Sequence, residues 1–189
     1  MPAHIGPILA AAIATGPLPD FGVALTAPGP APALGDAAHV YDRLIGDWDV
    51  EFRDELPDGR ILTSHGTWRF AWILEGLLIE DVIVTPPDAL PPDVPRRIGI
   101  TMRTYDPKLG AWRVVFITPG TGVRNELVAR RVGDDIIQTG SEKGVRPIRW
   151  SFVAFGPDSC IWRGESLNDD GKTWKLESEF KLRRARPAA

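Results

Sequence analysis

A carboxylate within an apolar strand is the group in this sequence best placed to do chemistry. The segment 77–85, LLIEDVIVT, alternates so that Asp81 and Glu80 point to opposite faces of a predicted strand. One carboxylate must therefore point inward in either register, and a buried carboxylate needs a hydrogen bond or a charged partner. The candidate partners are Arg103, Arg149 and Arg163. We interpret the group first as half of a buried ion pair; if the protein is an enzyme, Asp81, Arg103 and Tyr105 are its predicted catalytic residues.

A stripe of large aromatic side chains is the second pattern with functional meaning. Trp68, Phe70 and Trp72 alternate along the strand predicted over 60–74 and so share one face. Ligand pockets are lined mainly by apolar and aromatic side chains, although ordinary core packing would give the same stripe. The predicted ligand-binding residues are Trp68, Phe70, Trp72, Asp81, Trp150 and Trp162.

Other catalytic and cofactor patterns are missing from the sequence. The chain has three histidines and one cysteine, Cys160, which gives no basis for a His-rich or Cys-based metal site. His65, a tempting general base, falls on the strand face opposite Trp68. No Ser-His-Asp arrangement, phosphate-binding glycine loop or dinucleotide fingerprint is visible. We therefore predict no cofactor: no haem, no catalytic metal and no nucleotide.

Composition limits partners and location. The net charge of −3 and the absence of a Lys/Arg cluster argue against a nucleic-acid partner. Residues 1–35 are rich in Pro, Gly and Ala and contain no Lys or Arg, which predicts a flexible or loosely packed tail. A cleaved signal peptide is the alternative, but Gly6-Pro7 interrupts its apolar core and no basic residue precedes it. The apolar run 8–14 is too short to span a membrane, so we expect a cytoplasmic protein with no membrane partner.

The remainder, 36–186, reads as one domain of short strands. A helix over 36–45 with Asp36 as its N-cap is followed by the break at Gly46 and then by ten predicted strands with mostly tight turns. Consecutive hairpins of this kind favour a closed antiparallel up-and-down barrel. If the first strand rises from a closed floor, the proline-rich loop 86–97 lands at the open rim, and Arg184 returns to the floor over the ring of Trp48. These last two residues are predicted to be structural.

Several runs in this domain carry a family resemblance. They are LIGDWDVEF (44–52), GTWRFAWILEG (66–76), YDPKLGAWRVVFI (105–117), LVARRVGDDI (127–136), IRWSF (148–152) and WRGESLNDDGKTWKLESEF (162–180). Together they resemble a bacterial family of lipocalin-like domains of unknown function in the calycin superfamily. The resemblance implies a closed barrel of about ten strands, like nitrobindin and the fatty-acid-binding proteins, and it supplies no activity. Haem-binding barrels of the nitrobindin kind need a histidine near the end of the barrel, and this chain has none after His65.

Three functional hypotheses follow. The first is a carrier or sensor that binds a small hydrophobic or amphipathic molecule inside the barrel, under the loop 86–97. The second is a cofactor-independent enzyme, an isomerase, hydratase or cyclase acting on a hydrophobic metabolite in a dry cavity. The third is a partner domain that forms a homodimer through a wall of the barrel.

Overall fold

Ten antiparallel strands close into a barrel in sequence order. The computed structural model describes residues 20–186. Each strand is hydrogen-bonded to the next, and β1 pairs with β10 to close the sheet, so the predicted up-and-down barrel is confirmed. The strands are Gly46–Glu55 (β1), Ile61–Ile73 (β2), Leu78–Val84 (β3), Ile98–Asp106 (β4), Ala111–Thr118 (β5), Val123–Val132 (β6), Asp135–Glu142 (β7), Arg146–Val153 (β8), Ser159–Leu167 (β9) and Trp174–Arg184 (β10).

Alternation along each strand decides what fills the barrel. On β1 the side chains of Trp48, Val50 and Phe52 are buried, whereas their neighbours Asp49 and Arg53 are exposed. Burial of one face in every strand provides the hydrophobic free energy that holds the sheet closed.

A β-bulge in β10 interrupts the alternation of its side chains. Simple parity places Trp174 and Leu176 on the face of Phe180, but the register shifts between Leu176 and Ser178. Trp174 therefore leaves the inward face, and its ring lies 4.6 Å from the guanidinium of Arg149. Because a bulge adds one residue to a strand, the side chains that precede it point to the opposite face from the one that simple alternation gives.

The segment before the barrel forms 3₁₀ helices where an α-helix was predicted. They are Pro32–Val40 and Asp42–Leu44, and a short α-helix, Phe21–Ala24 (α1), precedes them. Gly35, with φ 51° and ψ −136°, interrupts the first 3₁₀ segment, and Asp36 is the first helical residue after this kink, so it is not an N-cap. The buried residues Ala38, Tyr41 and Leu44 recur every three positions, which is the period of a 3₁₀ helix.

This segment closes the floor of the barrel, the end that holds the first residues of β1. The Trp48 indole donates a hydrogen bond to the carbonyl of Leu44 at 2.7 Å, and the Arg184 guanidinium lies 4.0 Å from the Trp48 ring centroid. Gly46 has φ +116°, and a Cβ there would meet Nη1 of Arg184 at 2.8 Å, so this position favours glycine on both counts.

Part of the predicted tail also contacts the floor. The amide of Ala27 donates to the carbonyl of Trp72 at 3.0 Å, and that of Ala31 donates to Gly76 at 2.9 Å. Leu34 packs against the core. Residues 1–19 lie outside the described residues, so the predicted flexibility of 1–35 remains a prediction.

The opposite end, the rim, carries the long loop 86–97. A 3₁₀ helix, Pro87–Ala89, begins the loop, and the guanidinium of Arg97 ends it with two 2.9 Å hydrogen bonds to the carboxylate of Asp54 on β1. The loop is thereby fastened across the rim. No helix among residues 20–186 has the length and apolar character needed to cross a membrane.

Candidate functional site

A cavity of about 340 Å³ occupies the rim half of the barrel. Its volume is at the lower end of the range typical of small-molecule pockets, roughly 300–1,000 Å³. Polar side chains and large rings share the wall, and its aromatic residues are Trp68, Phe116, Trp150, Trp162 and Phe180. A ligand that enters here meets flat apolar surfaces on several sides.

The rings of this wall support one another. Trp162 stacks on Phe180 with 4.3 Å between ring centroids, and Trp150 meets Trp162 at 5.7 Å. Trp68 lies 6.1 Å from Trp162. Three of the five aromatic residues predicted to bind a ligand, Trp68, Trp150 and Trp162, thus border one space.

The other two predicted aromatic residues, Phe70 and Trp72, lie deeper and do not border the cavity. Phe70 is 1 % exposed and its ring centroid is 4.9 Å from that of Trp68. Trp72 is 4 % exposed and packs against Trp112 at 6.1 Å. They share the inward face of β2 with Trp68, as parity requires, but they belong to the packed floor half.

Asp81 and Arg103 form a buried ion pair at the base of the cavity. Asp81 is fully buried; its Oδ1 accepts a hydrogen bond from Nε1 of Trp68 at 2.6 Å, and its Oδ2 accepts one from Nη1 of Arg103. The other two arginines considered as partners pair elsewhere, Arg149 with Glu165 and Arg163 with Glu179. Arg103 borders the cavity, whereas Asp81 lies behind it.

Tyr41 is the residue beside this pair that sequence reasoning missed. Its ring centroid is 5.1 Å from Cζ of Arg103, and its hydroxyl donates to Oε1 of Gln138 at 3.2 Å. Tyr105, predicted for such a place, is half-buried and packs against Trp112 at 5.9 Å. Tyr41 precedes the barrel, so strand periodicity could not assign it to the interior.

The surroundings of Tyr41 and Arg103 keep the pKa values of both side chains far from neutral pH. Desolvation raises the pKa of Tyr41 to about 12, although the charge of Arg103 opposes the shift. Burial alone would lower the pKa of Arg103, but Asp81 and Tyr41 outweigh it, and the pKa is raised. Tyr41 is therefore neutral and Arg103 charged at pH 7, so neither is poised to exchange a proton there.

Three buried polar atoms in the cavity wall have no hydrogen-bond partner among the described residues. They are Nε of Arg103, Oδ1 of Asn125 and Nε2 of Gln138. An unsatisfied buried polar group costs about 1–3 kcal/mol, so such groups are expected to meet a ligand or water. Sequence reasoning missed both amides; the available signal was that Gln138 shares a strand face with the apolar Ile136.

Charged side chains at the rim are paired with one another. Arg146 makes two hydrogen bonds to the carboxylate of Glu177, at 2.8 and 3.0 Å, and a third to Glu142 at 3.0 Å. Arg97 is paired with Asp54, and its guanidinium lies 4.6 Å from the ring of Phe180. The mouth of the cavity is thus polar but nearly balanced in charge.

A second, smaller cavity of about 270 Å³ lies under the loop 86–97. Leu62, Leu90 and Val94 line it, and the hydroxyl of Thr85, also in its wall, has no partner within the described chain. Arg97 borders both cavities and separates them.

Metal-ligating side chains are scattered in the structure. Across residues 20–186, no group of three or more His, Cys, Asp or Glu side chains lies close enough together to hold a metal ion. His65 is exposed on the outer face of β2.

Comparisons with known proteins bear on the fold. No protein-family model matches the chain, and no curated protein matches it by sequence. The crystal structure of Rv2717c from M. tuberculosis is similar, with a TM-score of 0.58, 17% identity, and coverage of 83% of this chain and 99% of that one. The S-type phycobiliprotein lyase CPES from Guillardia theta is also similar, with a TM-score of 0.54, 9% identity, and coverage of 80% and 94%. At these identities the likeness concerns the fold alone, which is the closed antiparallel barrel of ten strands.

Proposed function

We propose that this protein binds one small hydrophobic or amphipathic molecule in the rim cavity and acts as a carrier or sensor. The observation that carries the proposal is the cavity itself: a space of about 340 Å³ with aromatic walls and buried polar atoms that lack partners. An apolar pocket with a few convergent polar groups is the usual form of a small-molecule site. We assign Trp68, Trp150 and Trp162 to the ligand-contacting wall.

The chemistry of the polar groups favours binding over catalysis. A general acid or base works best with a pKa near the working pH. Asp81 and Arg103 neutralise each other, and burial keeps the pKa of Tyr41 at about 12. A cofactor-independent enzyme is the second candidate, and Arg103 with Gln138 would be its polar groups, since both border the cavity and Tyr105 packs elsewhere.

The proposal extends to family and setting. We propose that the chain belongs to the bacterial lipocalin-like family that its motifs resemble, and that it works in the cytoplasm without a nucleic-acid or membrane partner. The basis for the family is the set of matching sequence motifs, and the basis for excluding a nucleic-acid partner is the net charge of −3 without a basic cluster. A homodimer through the barrel wall remains a prediction, which sedimentation velocity would test.

A blocked mouth tests the binding function. Val123 borders the cavity at the start of β6, and Val132 lies at the far end of the same strand with 60% exposure. We expect Val123→Trp to weaken binding of a neutral apolar fluorescent probe such as N-phenyl-1-naphthylamine at least about tenfold, because the indole fills the mouth. Val132→Trp is the matched control and should bind like the unmodified protein.

Two results would contradict the proposal. One is that the unmodified protein binds no apolar probe. The other is that both tryptophan variants bind the probe equally well, because the binding surface would then lie outside the cavity. Thermal unfolding of each variant verifies that the barrel is intact.

A further inference from the structure

Arg103 and Gln138 carry two of the polar atoms that have no hydrogen-bond partner within residues 20–186, and both side chains border the cavity. Arg103 and Gln138 both contact Tyr41, the first through its guanidinium over the ring and the second through the tyrosine hydroxyl. Each also carries a buried N–H group without a partner, Nε of Arg103 and Nε2 of Gln138. Two N–H donors on side chains that border the same cavity and contact the same tyrosine can serve one carbonyl oxygen.

The third wall atom without a partner among the described residues belongs to Asn125. It lies nearer the mouth and is a hydrogen-bond acceptor, not a donor. Oδ1 of Asn125 is an acceptor, and Asn125 pairs with Glu142 on the rim side of β7, whereas Gln138 pairs with Ala129. Four residues along a strand correspond to about 13 Å. The donors at the base therefore act at a different depth from Asn125.

Charge at the base is already balanced. Arg103 donates to Asp81, and the other oxygen of that carboxylate accepts from Trp68. An ionised ligand group placed here would be a second anion facing one cation in a largely desolvated space, which is unfavourable without a counter-charge. A neutral acceptor meets the two N–H groups without that penalty.

The walls above the base suit a flat molecule. Trp162 is stacked on Phe180, and Trp68 and Trp150 stand at larger angles to Trp162, 76° and 60°. Rings at these angles present both faces and edges, with which a planar ligand can make offset-stacked and edge contacts.

Building on the proposed binding function, we propose that the ligand is a flat, neutral aromatic carbonyl compound, bound with its carbonyl oxygen inward between Arg103 Nε and Gln138 Nε2. Its ring system lies in the cavity against Trp68, Trp150 and Trp162. The carbonyl is the specificity determinant, and the aromatic walls supply most of the apolar contact.

Three matched probes test this inference on the full-length protein. They are 2-acetylnaphthalene, its hydrocarbon analogue 2-ethylnaphthalene, and the anion 2-naphthoate, with binding followed by quenching of tryptophan fluorescence. The ketone should bind at least about tenfold more tightly than the hydrocarbon, because one hydrogen bond to a charged donor is worth about that factor. It should also bind more tightly than the carboxylate.

Variants connect the preference to the named donors. The pair Tyr41→Phe/Gln138→Met removes both partners of one hydrogen bond, which avoids leaving either without a partner, and it should clearly reduce the preference for the ketone, because only Nε of Arg103 then remains as a donor. Tyr41→Phe alone keeps Nε2 and should keep the preference. Asn125→Leu removes the other unpartnered wall amide and should keep it as well.

The outcomes separate this inference from the proposed function. Equal binding of ketone and hydrocarbon by the unmodified protein overturns the carbonyl site but leaves the apolar binding function in place. Tighter binding of the carboxylate overturns the neutral head group. Loss of the preference in Asn125→Leu but not in the Tyr41/Gln138 double variant moves the site to the mouth and overturns the assignment. Failure of all three probes to bind up to their solubility overturns both proposals.

Discussion

The floor and rim halves of the barrel contain similar large side chains, but these side chains serve different purposes in the two halves. At the floor, Tyr41, Leu44, Trp48 and Trp112 fill the interior, and both indoles donate hydrogen bonds, Trp48 to Leu44 and Trp112 to Ala37. At the rim, equally large rings surround a space, and polar atoms lack partners. The difference arises from the 3₁₀ segment, which inserts Tyr41 and Leu44 into the floor, whereas of the loop 86–97 at the rim only Arg97 borders the cavity. Close packing and satisfied polar groups stabilise the floor. Toward the rim, unfilled space and buried polar groups without hydrogen-bond partners within residues 20–186 favour binding of a ligand.

The largest effect is expected at the boundary between the halves, where Asp81 and Arg103 lie. Asp81→Leu leaves the charge of Arg103 and the indole N–H of Trp68 buried without their acceptor, and should lower the free energy of unfolding by about 3–5 kcal/mol. Urea denaturation measures this loss. Arg163→Met, which breaks the more exposed pair with Glu179, should cost less than about 1 kcal/mol.

A double variant sharpens this prediction. Asp81→Leu/Arg103→Met removes both charges and should regain most of the lost stability. If Asp81→Leu alone proves as mild as Arg163→Met, the buried pair does not stabilise the boundary.

The next effect compares two tryptophans of equal size. Trp72→Ala opens a void in the packed floor and should cost about 3–5 kcal/mol. Trp150→Ala should cost distinctly less, because part of that side chain faces the cavity and has fewer contacts to lose. Probe affinity should show the reverse order, with the larger loss in Trp150→Ala. Equal losses of stability in the two variants would contradict the division into a filled half and an open half.

A smaller effect is expected from the ionisation of Tyr41. A tyrosine in the unfolded chain has a pKa near 10, whereas burial raises the pKa of Tyr41 to about 12 in the fold. The neutral hydroxyl therefore supports stability below pH 10, and this contribution is lost as the pH rises from about 10 to 12. Chemical denaturation across this range should show a steeper fall for the unmodified protein than for Tyr41→Phe. Parallel curves would mean that the floor does not hold Tyr41 desolvated.

The smallest effect concerns access at the rim. Arg97→Met releases the loop 86–97 from Asp54 and from the rings of Phe52 and Phe180. Stopped-flow mixing should show association of an apolar probe that is faster by a factor of about 2–10, since a less restrained loop opens more often. Arg113→Met, which breaks a pair with Asp106 at the floor, should leave the rate unchanged.

Strand parity accounts for what could be predicted from sequence. The alternation in β2 assigned Trp68, Phe70 and Trp72 to one face. That in β3 required either Asp81 or Glu80 to point inward, and in the structure it is Asp81 that is buried. Tight turns between consecutive strands left few topologies other than a closed meander. The fold was therefore readable from local patterns, because each hairpin is a local structure.

The depth of an inward side chain along the barrel, and its contacts with residues distant in sequence, could not be predicted in the same way. Parity does not distinguish Trp72 at the floor from Trp68 at the cavity, since both point inward. Tyr41 reaches Gln138 across 97 positions of sequence, and no local pattern records such a contact. The bulge between Leu176 and Ser178 contains no glycine or proline that would have marked it.

The pairing of β1 with β10 has a consequence for how the chain is made. These neighbours are separated by nearly the whole barrel in sequence, with Trp48 opposite Arg184. During synthesis the first nine strands emerge before β10, so β1 and β9 remain open sheet edges until the last strand arrives. Because contacts between such distant residues form slowly, completion of the ring should set the pace of folding. Once Arg184 contacts Trp48, the edges of β1 and β9 are both paired, and the newly made chain is no longer prone to aggregate through them.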